Sequence, residues 1–291
     1  MNILFKKIIG ANNIYKLKTN IQFAKNPSLK EALTQNKEFN NKYQGGRCFI
    51  LGNGPSLKNV NFSLLRDEYT FTVNQLPRNP QFPDLNTNFH VWADQRFFHI
   101  DENKPEDIEL LNIMKAVNTD GNKPVVFYKY AAKNMIEHFD LKKFLNIRFW
   151  DQAGYEVSMI PNSYIDFTKL VPGFSTVIHY VICLAVYMGF KDIVLLGCDC
   201  TGIISTAQSR LGYGEKSTYG YQITENEKKR LEAMQALSSF RNEMLWQVNM
   251  FDCYAILDQY CKNHGARLRN ATNPTLLETV ERVSLDEVLM E

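Results

Sequence analysis

The sequence lacks a hydrophobic run long enough to cross a membrane. Its longest apolar stretch, Val177–Met188, covers 12 residues and contains His179, whereas a membrane-spanning helix needs about 20 apolar residues. Neither an internal repeat nor a low-complexity tract is present. Hydrophobic residues make up 45% and charged residues 22% of the 291 positions. This composition excludes a disordered or collagen-like chain, and we expect a globular protein that is not integral to a membrane.

The six cysteines show no zinc-binding pattern. Cys198 and Cys200 are the only close pair, and no CxxC motif or neighbouring histidine completes a set of zinc ligands. We also expect no secretory signal, because the first residues contain no continuous apolar segment followed by small residues. The sequence therefore predicts reduced thiols and a cytoplasmic protein.

Acidic residues are absent from the first 30 positions, although the whole chain has a formal net charge of +2. Residues 1–47 contain nine basic residues and two acidic ones, Glu31 and Glu38, and apolar residues lie between the lysines. This pattern predicts a basic amphipathic extension over residues 1–46. Two interpretations stay open. The extension contacts the anionic inner face of a membrane, making the protein peripheral there, or it forms a docked helix or a flexible leader.

Nucleic acid is not an expected partner, because no basic stripe is interleaved with aromatic residues. The one dense basic run of the domain is Lys228-Lys229-Arg230. We predict that it forms a solvated face of a helix.

Short apolar runs alternate with segments of helical periodicity from Arg47 onward. Strands are predicted at 48–51, 69–73, 89–93, 125–127, 147–150, 193–196 and within 268–277. Helices are predicted over 105–117, 131–139, 173–188, 224–264 with a break at Ser238-Ser239, and from Ser284. Strands that are apolar throughout favour a parallel sheet covered by helices on both faces. The sequence thus predicts one α/β domain over residues 47–291.

A stretch rich in glycine and tyrosine interrupts this alternation. Thr201–Tyr221 contains four glycines and three tyrosines, Tyr213, Tyr219 and Tyr221. Long loops inside compact domains are usually functional lids or disordered segments. We predict a lid at about residues 200–224.

The turn after the first strand, Gly52-Asn53-Gly54-Pro55-Ser56, combines two glycines with a hydroxyl. Glycines let main-chain amides approach a ligand, and free amides at a helix start bind anions. The pattern is neither GxGxxG nor GxxxxGK[ST]. A tight structural turn is the alternative.

Polar residues also follow several other predicted strands: Asn74-Gln75, Asp94 and Asp199. In open α/β sheets ligands bind beyond the carboxyl ends of the strands. Amide side chains both donate and accept hydrogen bonds. The sequence therefore predicts one shared site, suited to a nucleobase, a ribose and a phosphate.

Four motifs resemble those of bacterial lipooligosaccharide sialyltransferases. They are Leu51–Leu57 (LGNGPSL), Val73-Asn74-Gln75, Phe174-Ser175-Thr176 and Met188–Asp199 (MGFKDIVLLGCD). The GPSL turn and the ending Arg269–Glu278 also resemble motility-accessory flagellin glycosyltransferases and archaeal hydroxymethylpterin diphosphokinases. The resemblance extends in order over residues 47–290.

The resemblance implies a modified Rossmann, GT-A-like sheet that binds a sugar nucleotide, most characteristically a CMP-linked nonulosonate. With the strand-end residues added, the predicted nucleotide site consists of Gly52, Asn53, Gly54, Pro55, Ser56, Asn74, Gln75, Ser175, Thr176, Asp199 and Cys200. Lid residues bind the phosphate in this interpretation, and the candidates are Tyr213, Lys216, Tyr219 and Tyr221.

The histidine that serves as general base in those sialyltransferases has no counterpart here. No histidine lies between His179 and His264, and Gln247 matches its place. An amide cannot take up a proton, so another group must activate the acceptor. The candidates are Asp94, Asp199 and Glu243, with His99 as a further one.

No D-x-D motif is present to bind a metal-diphosphate pair. This absence favours a metal-independent, CMP-linked donor, with no cofactor. We therefore predict a glycosyltransferase that builds a capsule or lipopolysaccharide glycan from a nucleotide-sugar donor and a glycan or glycolipid acceptor. Two alternatives stay open. One is a pterin-type diphosphokinase that needs ATP and Mg²⁺, with Asp199 as a cation ligand. The other is a nucleotide-binding or interaction protein without catalysis.

Overall fold

The computed structural model describes residues 11–119, 122–153, 160, 163–213, 219–235 and 239–291. Ten strands lie in these ranges: β1 Arg47–Leu51, β2 Tyr69–Val73, β3 Phe89–Trp92, β4 Val125–Lys129, β5 Asn146–Trp150, β6 Gln152–Ala153, β7 Val171–Pro172, β8 Asp192–Leu196, β9 Arg267–Asn270 and β10 Glu281–Arg282. Eight of them form one sheet in the order β10-β9-β8-β1-β2-β3-β4-β5, and β6 pairs with β7.

Nine α-helices lie in the same described ranges. They are α1 Ala11–Lys25, α2 Pro27–Thr34, α3 Pro105–Lys115, α4 Lys133–His138, α5 Val177–Met188, α6 Gly202–Leu211, α7 Glu225–Gln235, α8 Phe240–Asn263 and α9 Leu285–Met290. Short 3-10 turns follow several strands, including Pro55–Asn59 after β1.

Every strand pair of the main sheet is parallel, which confirms the predicted fold class. The central strand β1 shows why its sequence is apolar throughout. Cys48 and Ile50 contact the cluster that contains α5, whereas Phe49 and Leu51 contact the opposite cluster with Leu57. Both faces of the strand are therefore buried, as its unbroken apolar run predicts.

The strand order changes direction at β1. From β1 the chain builds outward through β2, β3, β4 and β5 on one side, and through β8, β9 and β10 on the other. Because all eight strands are parallel, their carboxyl ends share one edge of the sheet. Open α/β sheets bind ligands at this edge, near the change of direction.

The described part of the N-terminal extension contacts the domain. Leu29 and Leu33 of α2 are buried, and Asn36 donates to the carbonyl oxygens of Phe149 and Phe167 at 2.7 and 2.9 Å. Phe39 lies in the core with its ring centroid 5.5 Å from that of Phe127. These contacts agree with the docked-helix interpretation for α2 and the turn after it, and membrane contact stays a prediction.

None of the helices in the described ranges is long and apolar enough to cross a membrane. The predicted break in the last helical region is confirmed, since Ser239 caps α8 by accepting from the amide of Asn242 at 3.3 Å. The prediction of a loop throughout Thr201–Tyr221 is wrong in part. The ten residues Gly202–Leu211 form α6, because their apolar residues recur at helical spacing and contact α8.

Candidate functional site

A cleft of about 580 Å³ opens at the carboxyl edge of the sheet, beyond β2, β3 and β4. Helices α5, α7 and α8 contribute its remaining walls. The lining includes Asn53, Asn74, Gln75, Asp94, Lys129, Gln152, Phe174, Ser175, Thr176, Tyr180, Tyr219, Tyr221, Arg230 and Trp246. Eight of the residues predicted from sequence therefore meet in one cavity: Asn53, Asn74, Gln75, Asp94, Ser175, Thr176, Tyr219 and Tyr221.

Asn53 lies where the ends of β1 and β2 meet. Its side-chain amide nitrogen donates to the carbonyl oxygen of Val73 at 3.2 Å, which fixes the orientation of the group. The amide oxygen is buried and has no hydrogen-bond partner among the described residues. Leaving a buried acceptor unpaired costs about 1–3 kcal/mol. Asn53 therefore offers an acceptor to a ligand that brings a donor.

Asn74 connects the ends of β2 and β3. Its φ of +47° is in the left-handed region, which asparagine tolerates better than most residues. Its side-chain oxygen accepts from the amide of Ala93 at 3.5 Å. The backbone turn and this long contact place Asn74 beside Asp94 in the cleft lining.

Gln75 lines the cleft, but its amide group is already engaged. The nitrogen donates to Glu227 at 2.6 Å, and the oxygen accepts from Arg78 at 2.6 Å. Arg230 binds the same glutamate at 2.8 and 2.9 Å. This network ties α7 to the end of β2.

Arg230 corrects the prediction of a solvated basic face. Lys228 and Lys229 are exposed, whereas Arg230 is buried. Its guanidinium lies 4.8 Å from the ring centroid of Phe97, besides pairing with Glu227. The third residue of the run therefore belongs to the wall of the cleft.

Asp94 and Lys129 provide charged groups that face the cleft. Asp94 is the one carboxylate among the described lining residues. Lys129 ends β4 and is 7% exposed. Burial lowers the pKa of its ammonium, and the charges of Asp151 and Asp94 oppose that shift. The sequence analysis missed Lys129, although a lysine that ends an apolar strand was a usable signal.

Ser175 and Thr176 lie at the start of α5, with Thr176 as its N-cap residue. The Ser175 hydroxyl is 3.7 Å from the Cys253 sulfur. Beside them, the amide of Phe174 donates to the Tyr180 hydroxyl at 2.8 Å, and this hydroxyl contacts Gln152. Hydroxyls and a helix N-terminus thus form the wall opposite the strand ends.

Two of the three candidate lid tyrosines line the cleft. The rings of Tyr219 and Tyr221 stack with their centroids 5.2 Å apart. Gly220, between them, donates to the Asn53 carbonyl at 2.8 Å and accepts from Asn79 at 2.9 Å. This places the tyrosine pair directly over the first turn. Tyr213 is 77% exposed and lies outside the described lining, and Lys216 lies outside the described residues.

Three amides of the first turn, in which the sequence predicts free donors, already bind protein acceptors. The amide of Gly52 donates to Leu196 at 2.8 Å and that of Gly54 to Gly197 at 2.9 Å. Ser56 donates to Asp199 twice, from its amide at 2.8 Å and its hydroxyl at 2.7 Å. The Asp199 carboxylate therefore lies at the donors of Ser56, where the sequence predicts a bound anion.

The glycines of this turn have a packing role. A Cβ on Gly54 would lie 2.6 Å from the Gly197 carbonyl oxygen and would overlap Asp199, and one on Gly52 would overlap Gly197. The close neighbours that exclude a side chain are thus protein atoms of the β8 end. Pro55 follows in the same turn, outside the described lining of the cleft.

Asp199 and Cys200 lie behind the turn rather than in the cleft lining. Burial raises the pKa of Asp199, and its hydrogen bonds from Ser56 oppose the shift. Burial together with the neighbouring Asp199 raises the pKa of the Cys200 thiol to about 12. The geometry gives Asp199 the task of fixing the turn.

Glu243, the third candidate base, also lies outside the described lining. It pairs with Arg210 at 2.9 Å and so connects α6 to α8. Gln247 is buried against Gly202, with 2.9 Å between its amide nitrogen and a Cβ built there. His99 is exposed and does not belong to the described lining.

Histidines His90 and His179 are fully buried within the core. Burial lowers the pKa of both imidazoles to about 3. His179 packs between Phe174 and Tyr254, which confirms a packing role rather than a role in proton transfer.

The described residues contain no group of three or more histidine, cysteine, aspartate or glutamate side chains that could bind a metal ion. No protein-family model matches the sequence, and no curated protein matches it.

The chain is similar to several solved structures of glycosyltransferases. One is the sialyltransferase CstII from Campylobacter jejuni in complex with cytidine-5'-monophosphate, with a TM-score of 0.46, 19% identity, and coverage of 83% of this chain and 86% of that one. A second is the sialyltransferase CST-II in complex with a trisaccharide acceptor and CMP, with a TM-score of 0.44, 17% identity, and coverage of 82% and 86%.

A third is the MAf glycosyltransferase from Magnetospirillum magneticum AMB-1, with a TM-score of 0.47, 12% identity, and coverage of 88% of this chain and 38% of that one. These neighbours come from the two glycosyltransferase groups that the sequence motifs resemble. The resemblance to the pterin diphosphokinases stays a prediction.

Proposed function

We propose that the chain is a glycosyltransferase that binds a nucleotide sugar in the cleft and transfers the sugar to a glycan or glycolipid acceptor. One observation carries the proposal: a single cavity brings together an unpartnered acceptor on Asn53, the carboxylate of Asp94 and the ammonium of Lys129. Its volume of about 580 Å³ is in the usual range for small-molecule sites.

The donor is bound by the strand ends and the start of α5. The Asn53 oxygen accepts a hydrogen bond from a ribose hydroxyl or an exocyclic amine. Ser175 and Thr176 provide hydroxyls on the facing wall, and the stacked Tyr219 and Tyr221 cover the first turn. The motif resemblance favours a CMP-linked nonulosonate as the donor.

Asp94 serves as the general base in this proposal. The acceptor hydroxyl oxygen attacks the anomeric carbon of the donor while its proton passes to the Asp94 carboxylate. The bond between the anomeric carbon and the phosphate oxygen breaks, and CMP leaves with the electron pair. The reaction needs no metal ion, because the protein itself stabilises the leaving phosphate.

Trp246 provides a platform for the acceptor. It is 45% exposed on α8 and lines the cleft. A tryptophan offers a large flat apolar face at low conformational cost, which suits a sugar ring. The exposed position at the rim matches a glycan that enters from solvent.

Contact with a membrane would place the protein beside a lipid-linked acceptor of surface-polysaccharide synthesis. Leu17 and Ile21 are exposed one turn apart on α1, near the exposed Lys16 and Lys25. Such a face binds anionic lipid surfaces. Co-sedimentation with vesicles that contain anionic lipid tests this, and Leu17→Glu with Ile21→Glu should abolish it; sedimentation that survives both changes contradicts the contact.

Calorimetric titration with CMP, UDP, ATP and a pterin, each with and without Mg²⁺, tests the nucleotide class. We expect CMP to bind equally well with EDTA present, and a CMP-linked nonulosonate to be turned over with a glycan acceptor. Binding of ATP that requires Mg²⁺ would instead favour the diphosphokinase. Binding of CMP without turnover on any acceptor would favour the non-catalytic alternative.

A further inference from the structure

We propose that Lys129 forms an oxyanion subsite on the floor of the cleft, which binds a phosphate or carboxylate group of the ligand. The inference rests on the proposed function in one respect, that the ligand is an anionic nucleotide or nucleotide sugar. The proposal places the anionic group of the ligand at the end of β4. The sequence analysis predicts it at the turn after β1.

The burial of Lys129 is the first argument. Its side chain is 7% exposed and lines the cleft. Within the described ranges its ammonium forms no hydrogen bond to a protein acceptor and no ion pair within 4.0 Å. Lysines with so little exposed surface are usually paired. The Lys129 nitrogen is not among the fully buried unpartnered atoms of the described residues, so it is accessible from the cleft, where a ligand can provide the missing partner.

The surrounding charges point the same way. Arg230, the other cation of the described lining, is already bound to Glu227. Asp151 lies outside that lining and accepts from the amide of Gln152 at 2.8 Å. Burial raises the pKa of Asp151, and the charge of Lys129 opposes that shift, but the two groups form no ion pair within 4.0 Å. Asp94 in the same lining also acts on the charge of Lys129 but forms no ion pair with its ammonium within 4.0 Å, so the ammonium can still bind an incoming anion.

The facing wall adds a second favourable group. Side chains alternate along a strand, so Lys129 lies on the same face as Phe127 and Val125, and this is the face that α5 covers. The N-terminus of α5 starts at Val177, which also lines the cleft. Helix N-termini favour negative charge. An anion between Lys129 and α5 would interact with both.

The turn after β1 is less suited than Lys129 to bind the anionic group of the ligand. The amides of Gly52, Gly54 and Ser56 already donate to Leu196, Gly197 and Asp199. An anion there would have to displace the Asp199 carboxylate and leave it buried without its two donors. Lys129 needs no such displacement.

Calorimetry with cytidine, CMP and a CMP-linked nonulosonate tests the subsite and separates phosphate from carboxylate. We expect Lys129→Met to weaken CMP binding about 10- to 100-fold and to leave cytidine binding unchanged, if the phosphate is the anion. If the sugar carboxylate is the anion, Lys129→Met should leave the binding of cytidine and of CMP unchanged. It should then lose the added affinity of the CMP-linked nonulosonate over CMP. Lys129→Arg should stay closer to the wild type in either case.

Lys133→Met is the matched control. Lys133 lies four residues further on, outside the described lining, and pairs with Glu137 at the surface. It should change none of the three affinities. Lys129→Gln, with a thermal melt of each variant, gives a second neutral replacement in case the methionine variant folds poorly.

Two results are distinguishable as failures. The subsite is contradicted if a folded Lys129→Met or Lys129→Gln protein keeps both the added affinity of CMP over cytidine and that of the CMP-linked nonulosonate over CMP. The proposed function is not affected by that result. A wild-type protein that binds neither cytidine, CMP nor the nonulosonate overturns the proposed function and the subsite with it.

Discussion

The two halves of the sheet's carboxyl edge carry similar polar residues but differ in whether those residues line a cleft. At the β1 and β8 ends, Ser56 and Asp199 bind each other, and the glycine amides have carbonyl partners. At the β2, β3 and β4 ends, a cleft separates Asp94 and Lys129 from the facing helices. The polar groups of the first half stabilise the protein's own structure, whereas the second half is open to a ligand.

This difference shows that a polar residue after a strand does not by itself mark a binding site. Asp94 and Asp199 follow strands of the same sheet in the same way. Asp199 accepts from a donor pair on Ser56, 143 residues away in the sequence, whereas Asp94 lines the cleft. The following substitutions test the contrast between the open and the closed half.

Asp94→Asn should have the largest effect, on turnover. It removes the proposed base, and loss of general-base catalysis typically costs about 10²- to 10⁴-fold in rate. Steady-state kinetics with a CMP-linked donor should show the loss in kcat, with the melting temperature nearly unchanged. Glu243→Gln is the control, because Glu243 lies outside the described lining and should keep turnover. Full activity in Asp94→Asn would remove Asp94 from the mechanism.

Asp199→Ala should act on stability instead. It leaves the Ser56 amide and hydroxyl buried without an acceptor, which should lower the free energy of unfolding by about 2–4 kcal/mol. Urea denaturation measures this. Ser56→Ala removes only the hydroxyl bond and should cost about 1 kcal/mol. CMP affinity of the folded Asp199→Ala protein should match the wild type; a large loss of affinity would place Asp199 in the ligand site.

Acid should destabilise the protein through the histidines buried in its core. Burial lowers the pKa of His90 and His179 to about 3 from the ordinary 6.5. The unfolded chain then binds protons that the folded one does not, so stability is complete above pH 6.5 and falls as the pH drops towards 3. Each histidine contributes a slope of about 1.4 kcal/mol per pH unit in that window.

His179→Phe should reduce that slope by about 1.4 kcal/mol per pH unit. Phenylalanine fits between Phe174 and Tyr254 and has no group to protonate. Urea denaturation at several pH values between 4 and 6.5 measures the slope. His138→Gln is the control, since that histidine is exposed at the surface beside Glu102. An unchanged slope in His179→Phe would show that His179 does not titrate in this way.

Trp246→Ala should have the smallest effect, on the acceptor alone. Loss of an aromatic platform should raise the KM for the acceptor about 2- to 10-fold without changing the KM for the donor. Leu245→Ala is matched to it, being 46% exposed on the same helix but outside the described lining. Equal effects of both changes would indicate a general disturbance of α8 rather than contact with the acceptor.

The fold could be predicted from the sequence because local signals determine it. The apolar runs that end at Leu51, Val73 and Leu196 each form a buried parallel strand. Because the carboxyl ends of parallel strands lie at one edge of the sheet, the sequence alone could assign Asn74 and Asp94 to the same site. The helix predicted from Ser284 is also confirmed, because Ser284 and Glu287 form a capping box at the start of α9.

The partners of each polar group could not be predicted in this way. Ser56 meets Asp199 and Gln75 meets Glu227 across 143 and 152 residues of sequence. No pattern within a short window specifies such pairs. Lys129 was missed because the strand was predicted to end at Phe127, so the lysine was not recognised as a strand-end residue.

The hydrogen bonds of Gly220 have a consequence for how variation would act on the site. Because this residue is anchored to the Asn53 carbonyl and to Asn79, the aromatic wall takes its position from the ends of β1 and β2. A side chain at Gly54 would force the turn to shift. The shift would move Tyr219 and Tyr221, although no residue that contacts the ligand would have been replaced. Selection for binding would therefore extend to glycines that the bound molecule never meets.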